Sequence, residues 1–85
     1  MTQAVARELA SSGVRLNSIA PGWIATDLNA SMWGDEGVRK SMEDAIPMGR
    51  LGNAEEIVGP AVFLASDASS FVTGATLLVD GGQLA

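Results

Sequence analysis

The sequence predicts an α/β fold built on a parallel sheet. Three observations point there. Two strand-length apolar runs, residues 14–20 (VRLNSIA) and 75–79 (ATLLV), lie far apart in the chain. Residues 54–66 between them carry the strongest helical pattern. Apolar strands joined through a helix form a crossover unit, whose sheet is covered on both faces. The whole order reads helix, strand, lid, helix, strand.

Residues 2–12 give the first helix. Val5, Ala6, Leu9 and Ala10 make one apolar stripe, as helical periodicity requires. Gly13 stands where a left-handed cap belongs. In the strand at 14–20, Val14 and Leu16 alternate with Arg15 and Asn17. Pro21-Gly22 is expected to end it, because proline cannot donate to a ladder. Asn17 puts a polar amide inside the strand, where it either bonds within the sheet or fixes a nearby loop.

Residues 23–52 are loop-rich, with two short helical patterns. Leu28 and Met32 are four apart after a possible Asp27 cap, and Val38, Met42, Ala45 and Ile46 form a stripe after Asp35. A connection this long inside a compact domain is usually functional, often a lid. Trp23, Met32, Trp33, Met42 and Met48 concentrate in or beside it. They read equally as a cover over an apolar cleft and as packing of the lid on its own domain.

The helix at 54–66 begins with Asn53 and Glu56 at capping-box spacing. Its wide apolar face predicts that it is largely buried. Pro60 predicts a bend or a lost backbone bond. Arg50 is expected to pair with a carboxylate or cap a helix end, and Glu55 and Glu56 suit a helix N-terminus. Asp80-Gly81-Gly82 is turn chemistry after the last strand.

Composition excludes several functions. The 85 residues suffice for one small domain with a thin core. The formal net charge is −5 and the five basic residues are scattered. Nucleic acid and anionic membrane are therefore not expected as partners. The sequence contains no Cys and no His, which removes disulfides, thiolate chemistry and the usual zinc sites. No metal site is expected. It also contains no Tyr, so neither Tyr nor His can act here as a general acid or base. No run approaches the ~20 apolar residues of a membrane span. With no signal peptide visible, the cytoplasm is the expected compartment.

GVRLNSIAPGWIATDL, residues 13–28, resembles the sixth strand and following loop of the short-chain dehydrogenase/reductase family. IPMGRLGNAEEIVGPAVFLASDASSFVTGATLLVDGG, residues 46–82, resembles that family's C-terminal helix and last strand. MTQAVARELA, residues 1–10, is similar to the end of the helix that follows the family's Tyr-x-x-x-Lys pair. The resemblance implies the C-terminal part of a Rossmann-like doubly wound parallel sheet. Residues 1–85 would be a partial NAD(P)-binding domain, with 27–50 as its substrate lid.

The family holds the nicotinamide end of NAD or NADP with a PGxxxT segment, which maps onto Pro21, Gly22, Ile24 and Thr26. The chemistry suits that use. In open α/β sheets ligands bind beyond the carboxyl ends of strands. Gly22 would let the backbone approach a flat ring. Ile24 offers main-chain N–H and C=O groups to a carboxamide, and Thr26 a hydroxyl donor and acceptor to a carboxamide or phosphate oxygen. On spacing alone, the same segment reads as a strand-to-helix turn capped by Thr26 or Asp27. Trp23, Leu28, Met32, Trp33 and Met42 would line the lid over a carbonyl or alcohol substrate.

The family's glycine-rich dinucleotide loop, its Asn-Ala-Gly segment, its catalytic Ser and its Tyr-x-x-x-Lys pair have no counterpart in these residues. The chain therefore reads as a truncated gene product, a gene fragment or a cut piece of a longer enzyme. No catalytic residue is assigned to it. Weak or absent cofactor binding, no activity alone, and association with itself or with the N-terminal part are expected. A non-catalytic module that self-associates or binds a partner is the alternative.

Overall fold

A computed structural model of the chain describes residues 1–84. Helix α1 spans Thr2–Ala10 and buries Ala6. It ends in a Schellman turn: Val14 N–H donates to Leu9 O at 3.3 Å and Gly13 N–H to Ala10 O at 3.0 Å. Gly13 sits at φ +75°, the left-handed region where glycine avoids the Cβ penalty.

Strand β1 is Ser18–Pro21 and strand β4 is Thr76–Val79. They pair in parallel, Ser18 with Thr76 through Pro21 with Val79. The expected class and strand direction are both present. The strand is shorter than 14–20, because Leu16 and Asn17 bond to the approach to β4 instead of forming a ladder. Leu16 N–H donates to the Thr73 hydroxyl at 3.1 Å, and Asn17 spans Val72 O and Ala75 N–H, each at 3.0 Å. The strand ends at Pro21-Gly22 as expected, with Pro21 as its last member. Ser18 N–H and Gly22 N–H donate to Ala75 O and Val79 O, both at 2.9 Å. Alternation along the strand turns position 21 away from β4, so the missing amide removes no bond there.

A second parallel pair was not expected in the loop-rich stretch. β2, Ile24–Ala25, pairs with β3, Gly52–Asn53. The chain between them forms a 3₁₀ turn at Asp27–Asn29, then α2, Ala30–Trp33, and α3, Glu36–Ala45. The cap of the first turn is Thr26 rather than Asp27. Asp35 caps α3, its carboxylate accepting from Val38 N–H at 3.0 Å. Such pairs of residues carry no long alternating run, so period-based reading passes over β2 and β3.

Helix α4, Glu55–Ala65, opens with the expected reciprocal bonds. Asn53 N–H donates to Glu56 Oε1 at 3.0 Å, and Glu56 N–H to Asn53 Oδ1 at 3.2 Å. The helix continues through Pro60, which brings no amide to the ladder. The expectation that it is largely buried fails: none of its residues is buried, and Val58, Val62 and Phe63 are exposed. Its inner face meets only the short strands β1, β3 and β4. An open cleft of about 490 Å³ remains between Ile19 of β1 and Ala61 and Leu64 of α4. The buried hydrophobic residues are Ala6, Met42 and Ile46 alone among the described residues.

Arg15 ties the end of α4 to the main sheet. Its guanidinium donates to Ser69 Oγ at 3.0 Å, Val72 O at 3.3 Å and Ser66 O at 3.4 Å. A cation at a helix C-terminus is also favoured by the helix dipole.

Candidate functional site

Because β1 and β4 are parallel, both strands release their chains at the same edge. Pro21-Gly22 and Asp80-Gly81 therefore leave side by side. Their separation explains Gly22: a Cβ there would lie 2.7 Å from Asp80 Cβ and 2.8 Å from Asp80 Cα. The space that the missing side chain frees is filled by Asp80. Asp80 in turn accepts from Gly82 N–H at 3.0 Å and Leu84 N–H at 3.1 Å. The second exit is a closed turn, as its composition predicts.

Past Gly22 the chain enters β2. Gly52 N–H donates to Trp23 O at 3.0 Å. The alternation of a parallel ladder then turns the amide of Ile24 away from β3. Ile24 O accepts from Asn29 Nδ2 at 2.8 Å. Thr26 N–H and the Thr26 hydroxyl both donate to Asn29 Oδ1, at 2.7 and 3.1 Å. Trp33 Nε1 donates to Thr26 O at 2.8 Å. The 24–26 segment is thus held from the lid side by two side chains. Sequence reasoning did not single out Asn29. Its signal is the Thr-x-x-Asn spacing, which brings an amide back onto a turn's first residue.

Pro21, Gly22, Ile24 and Thr26 follow one another out of a single strand end. The donor set suits the carboxamide end of a nicotinamide: an outward main-chain N–H at Ile24 and hydroxyl lone pairs at Thr26. Among the described residues, no glycine-rich turn between a strand and a helix accompanies it as a pyrophosphate cradle. Beside the segment lies a small cavity of about 50 Å³, lined by Trp23, Ile24, Ile46, Met48, Arg50 and Asp80 among others. That is room for a few water molecules, far below the ~300–1,000 Å³ of a usual ligand pocket.

The expected lid residues divide. Met42 is buried, as is Ile46 at the end of α3. Trp33 is half-buried and braces Thr26. Trp23 and Met32 are exposed in part, and Leu28 is 99% exposed. The lid returns to the sheet at Met48, whose N–H donates to Gly81 O at 3.0 Å.

Arg50 meets the carboxylate expected of it. Its two terminal nitrogens reach Glu56 Oε1 and Oε2 at 2.7 and 2.8 Å. These bonds, with the Asn53 amide, hold the Glu56 carboxyl down at about 2. The same pair raises the Arg50 guanidinium. Both groups brace the entry to α4.

Comparison with known proteins agrees with the geometry. A family model described as enoyl-(acyl carrier protein) reductase matches residues 1–83. The chain belongs to the short-chain dehydrogenase/reductase family, and its fold is a partial Rossmann-type α/β unit. It is 49% identical over 83 residues to an L-rhamnose 1-dehydrogenase (NAD(P)(+)) of Sphingomonas sp. (strain SKA58), covering 98% of this chain and 33% of that protein. A short-chain type dehydrogenase/reductase from Mycobacterium ulcerans superposes with a TM-score of 0.91 at 44% identity, over 98% of this chain and 30% of that one. A gluconate 5-dehydrogenase from Burkholderia cenocepacia J2315, solved with NADP and tartrate, superposes with a TM-score of 0.87 at 40% identity, over 98% of this chain and 32% of that one. The chain spans about a third of the length of the curated relatives it matches. No helix among the described residues is long and apolar enough to cross a membrane.

Proposed function

We propose that this chain is the C-terminal part of an NAD(P)-dependent oxidoreductase that moves a hydride between the cofactor and a carbonyl or alcohol carbon. Its share of the work is a wall for the nicotinamide, a lid for a small-molecule substrate and a surface for another subunit. The observation that carries this is the PGxxxT segment leaving the carboxyl end of a parallel strand, with Ile24 N–H turned outward. Pro21, Gly22, Ile24 and Thr26 would hold the nicotinamide end of NAD or NADP, Gly22 by letting the Asp80 turn close beside it. Bound there, the nicotinamide supplies the hydride-exchanging ring. The chain's own residues orient its carboxamide and, through Trp23 and the lid, exclude water. Leu28 and Met32 complete the lid only when a substrate or a further segment lies against them, given their present exposure. The cytoplasm is the proposed compartment.

The test is complementation. The chain is mixed with the N-terminal two thirds of the Sphingomonas L-rhamnose dehydrogenase, and NAD(P)H turnover is followed. Turnover in the mixture, with none from either piece alone, is the expected result. Activity of the 85-residue chain alone would contradict the division of labour, because the chain contains no Tyr or His to move a proton. So would micromolar binding of NAD or NADP by the chain alone, since a piece without a pyrophosphate cradle is expected to bind at ~1 mM or weaker.

A non-catalytic reading has one observation in its favour. Val58, Val62 and Phe63 of α4 and Leu77 and Leu78 of β4 are exposed, which suits a module that associates with itself or with a longer relative. A mixture that assembles by size-exclusion mass but never turns over cofactor would favour this reading.

A further inference from the structure

We propose that Asn29 is a positioning residue that makes Thr26 an acceptor-only hydroxyl and thereby selects cofactors bearing an N–H at that place. The inference rests on the nicotinamide reading above and deepens it. Asn29 touches no substrate. It acts through Thr26 and Ile24.

The argument turns on which way the Asn29 amide faces. Thr26 N–H, 2.7 Å from Oδ1, can only donate. Ile24 O, 2.8 Å from Nδ2, can only accept. The two main-chain partners therefore fix the amide's orientation. A hydroxyl can donate or accept, and rotates to suit its surroundings. Here the fixed Oδ1 lies 3.1 Å from Thr26 Oγ1 and is an acceptor, so the Thr26 proton points at Asn29. What Thr26 presents elsewhere is lone pairs alone. An incoming ligand atom at Thr26 must then bring its own hydrogen. A carboxamide NH₂ does, whereas a ketone oxygen or methyl does not.

Trp33 completes the clamp by donating to Thr26 O at 2.8 Å. Thr26 is thus held through its amide, hydroxyl and carbonyl, all by residues of the segment that follows it. A strand-end loop fixed at each polar atom enters binding with less ordering left to do.

Two measurements test this. In the complemented assembly, with the 85-residue chain labelled with ¹⁵N, the Thr26 amide should be protected from exchange and the Trp33 indole shifted away from its free position. Asn29→Ala should abolish the Thr26 protection. A wild-type chain with an unprotected Thr26 amide, or an Asn29→Ala chain with unchanged protection, overturns the proposal.

The second measurement uses the complemented assembly with NAD and with its acetylpyridine analogue, in which a methyl ketone replaces the carboxamide. Wild type should favour NAD by about fivefold, the worth of one neutral hydrogen bond. Asn29→Ala frees the Thr26 proton to donate, so the preference should shrink towards unity. Asn29→Asp keeps an acceptor for the Thr26 amide and hydroxyl but sets a carboxylate oxygen against Ile24 O, so the preference should return in part, above that of Asn29→Ala. A merely structural defect would weaken both cofactors alike and leave their ratio in place, which would refute the selection. If the wild-type assembly binds neither cofactor while Thr26 stays protected, the nicotinamide reading is what fails, and the selection with it.

Discussion

Arg50 and Glu56 are paired through both ends of the carboxylate at the start of α4. The Glu56 carboxyl stands at about 2 against an ordinary 4.5. A lowered folded value favours the folded state fully above the ordinary value and progressively less as the proton returns. The contribution should be complete above pH 4.5 and fade as pH falls towards 2. A carboxyl-carbon NMR titration of the assembled protein should place the Glu56 midpoint near the lower value, and Arg50→Ala should move it up. A midpoint at the ordinary value would dissolve the ion pair. Gly22 makes a second residue-scale prediction. A methyl at position 22 meets Asp80 Cα at 2.8 Å, which is main chain and yields little. Gly22→Ala should cost ~1–3 kcal/mol, the usual range for overpacking, read from the urea midpoint of the complemented assembly. Thr26→Val should leave that midpoint near wild type and weaken cofactor binding by ~0.5–1.5 kcal/mol.

At the scale of elements, what was legible in the sequence follows from how local each cause is. The cap of α1 by Gly13 and the Asn53–Glu56 box are set by residues within one turn of each other, and each is present. The parallel pairing of β1 and β4 was legible because a helix separates two apolar runs. β2 and β3 were not, since a two-residue strand has no period to read. Pro21-Gly22 ends β1 as expected, and Pro21 can still be its last residue because its missing amide faces away from β4. At the site, the order Pro21, Gly22, Ile24, Thr26 was visible, but the reason for Gly22 and the role of Asn29 depend on Asp80 and on lid geometry. Asn53→Ala should cost about 1 kcal/mol, as loss of an N-terminal cap usually does. Amide exchange along Glu55–Val58 in the assembly should accelerate, and unchanged exchange there would show that α4 is held by its packing instead.

The whole molecule is elongated. Its radius of gyration is 15.7 Å and its extents are 50 × 21 × 19 Å, whereas a compact chain of this length has a radius near ~12 Å. The excess has a physical origin in the sheets. Each holds two strands, and a two-stranded unit is marginal in water without more apolar cover. Only Ala6, Met42 and Ile46 are buried hydrophobic residues among those described, while Val58, Val62, Phe63, Leu77 and Leu78 remain exposed. Ordering a chain of this size costs on the order of 100 kcal/mol in conformational entropy, and so small a core offsets it poorly. The chain alone is therefore expected not to persist as a stable monomer. Relatives about three times as long contain a similar segment, and the exposed faces of α4 and β4 are where cover is lacking here. Sedimentation should show association that grows with concentration, and thermal unfolding should rise with concentration or lack a cooperative step. Adding the N-terminal two thirds of a relative should sharpen that transition. A compact monomer that unfolds cooperatively at a concentration-independent midpoint would mean that the small core, the capping turns and the Arg15 clamp suffice without any second chain.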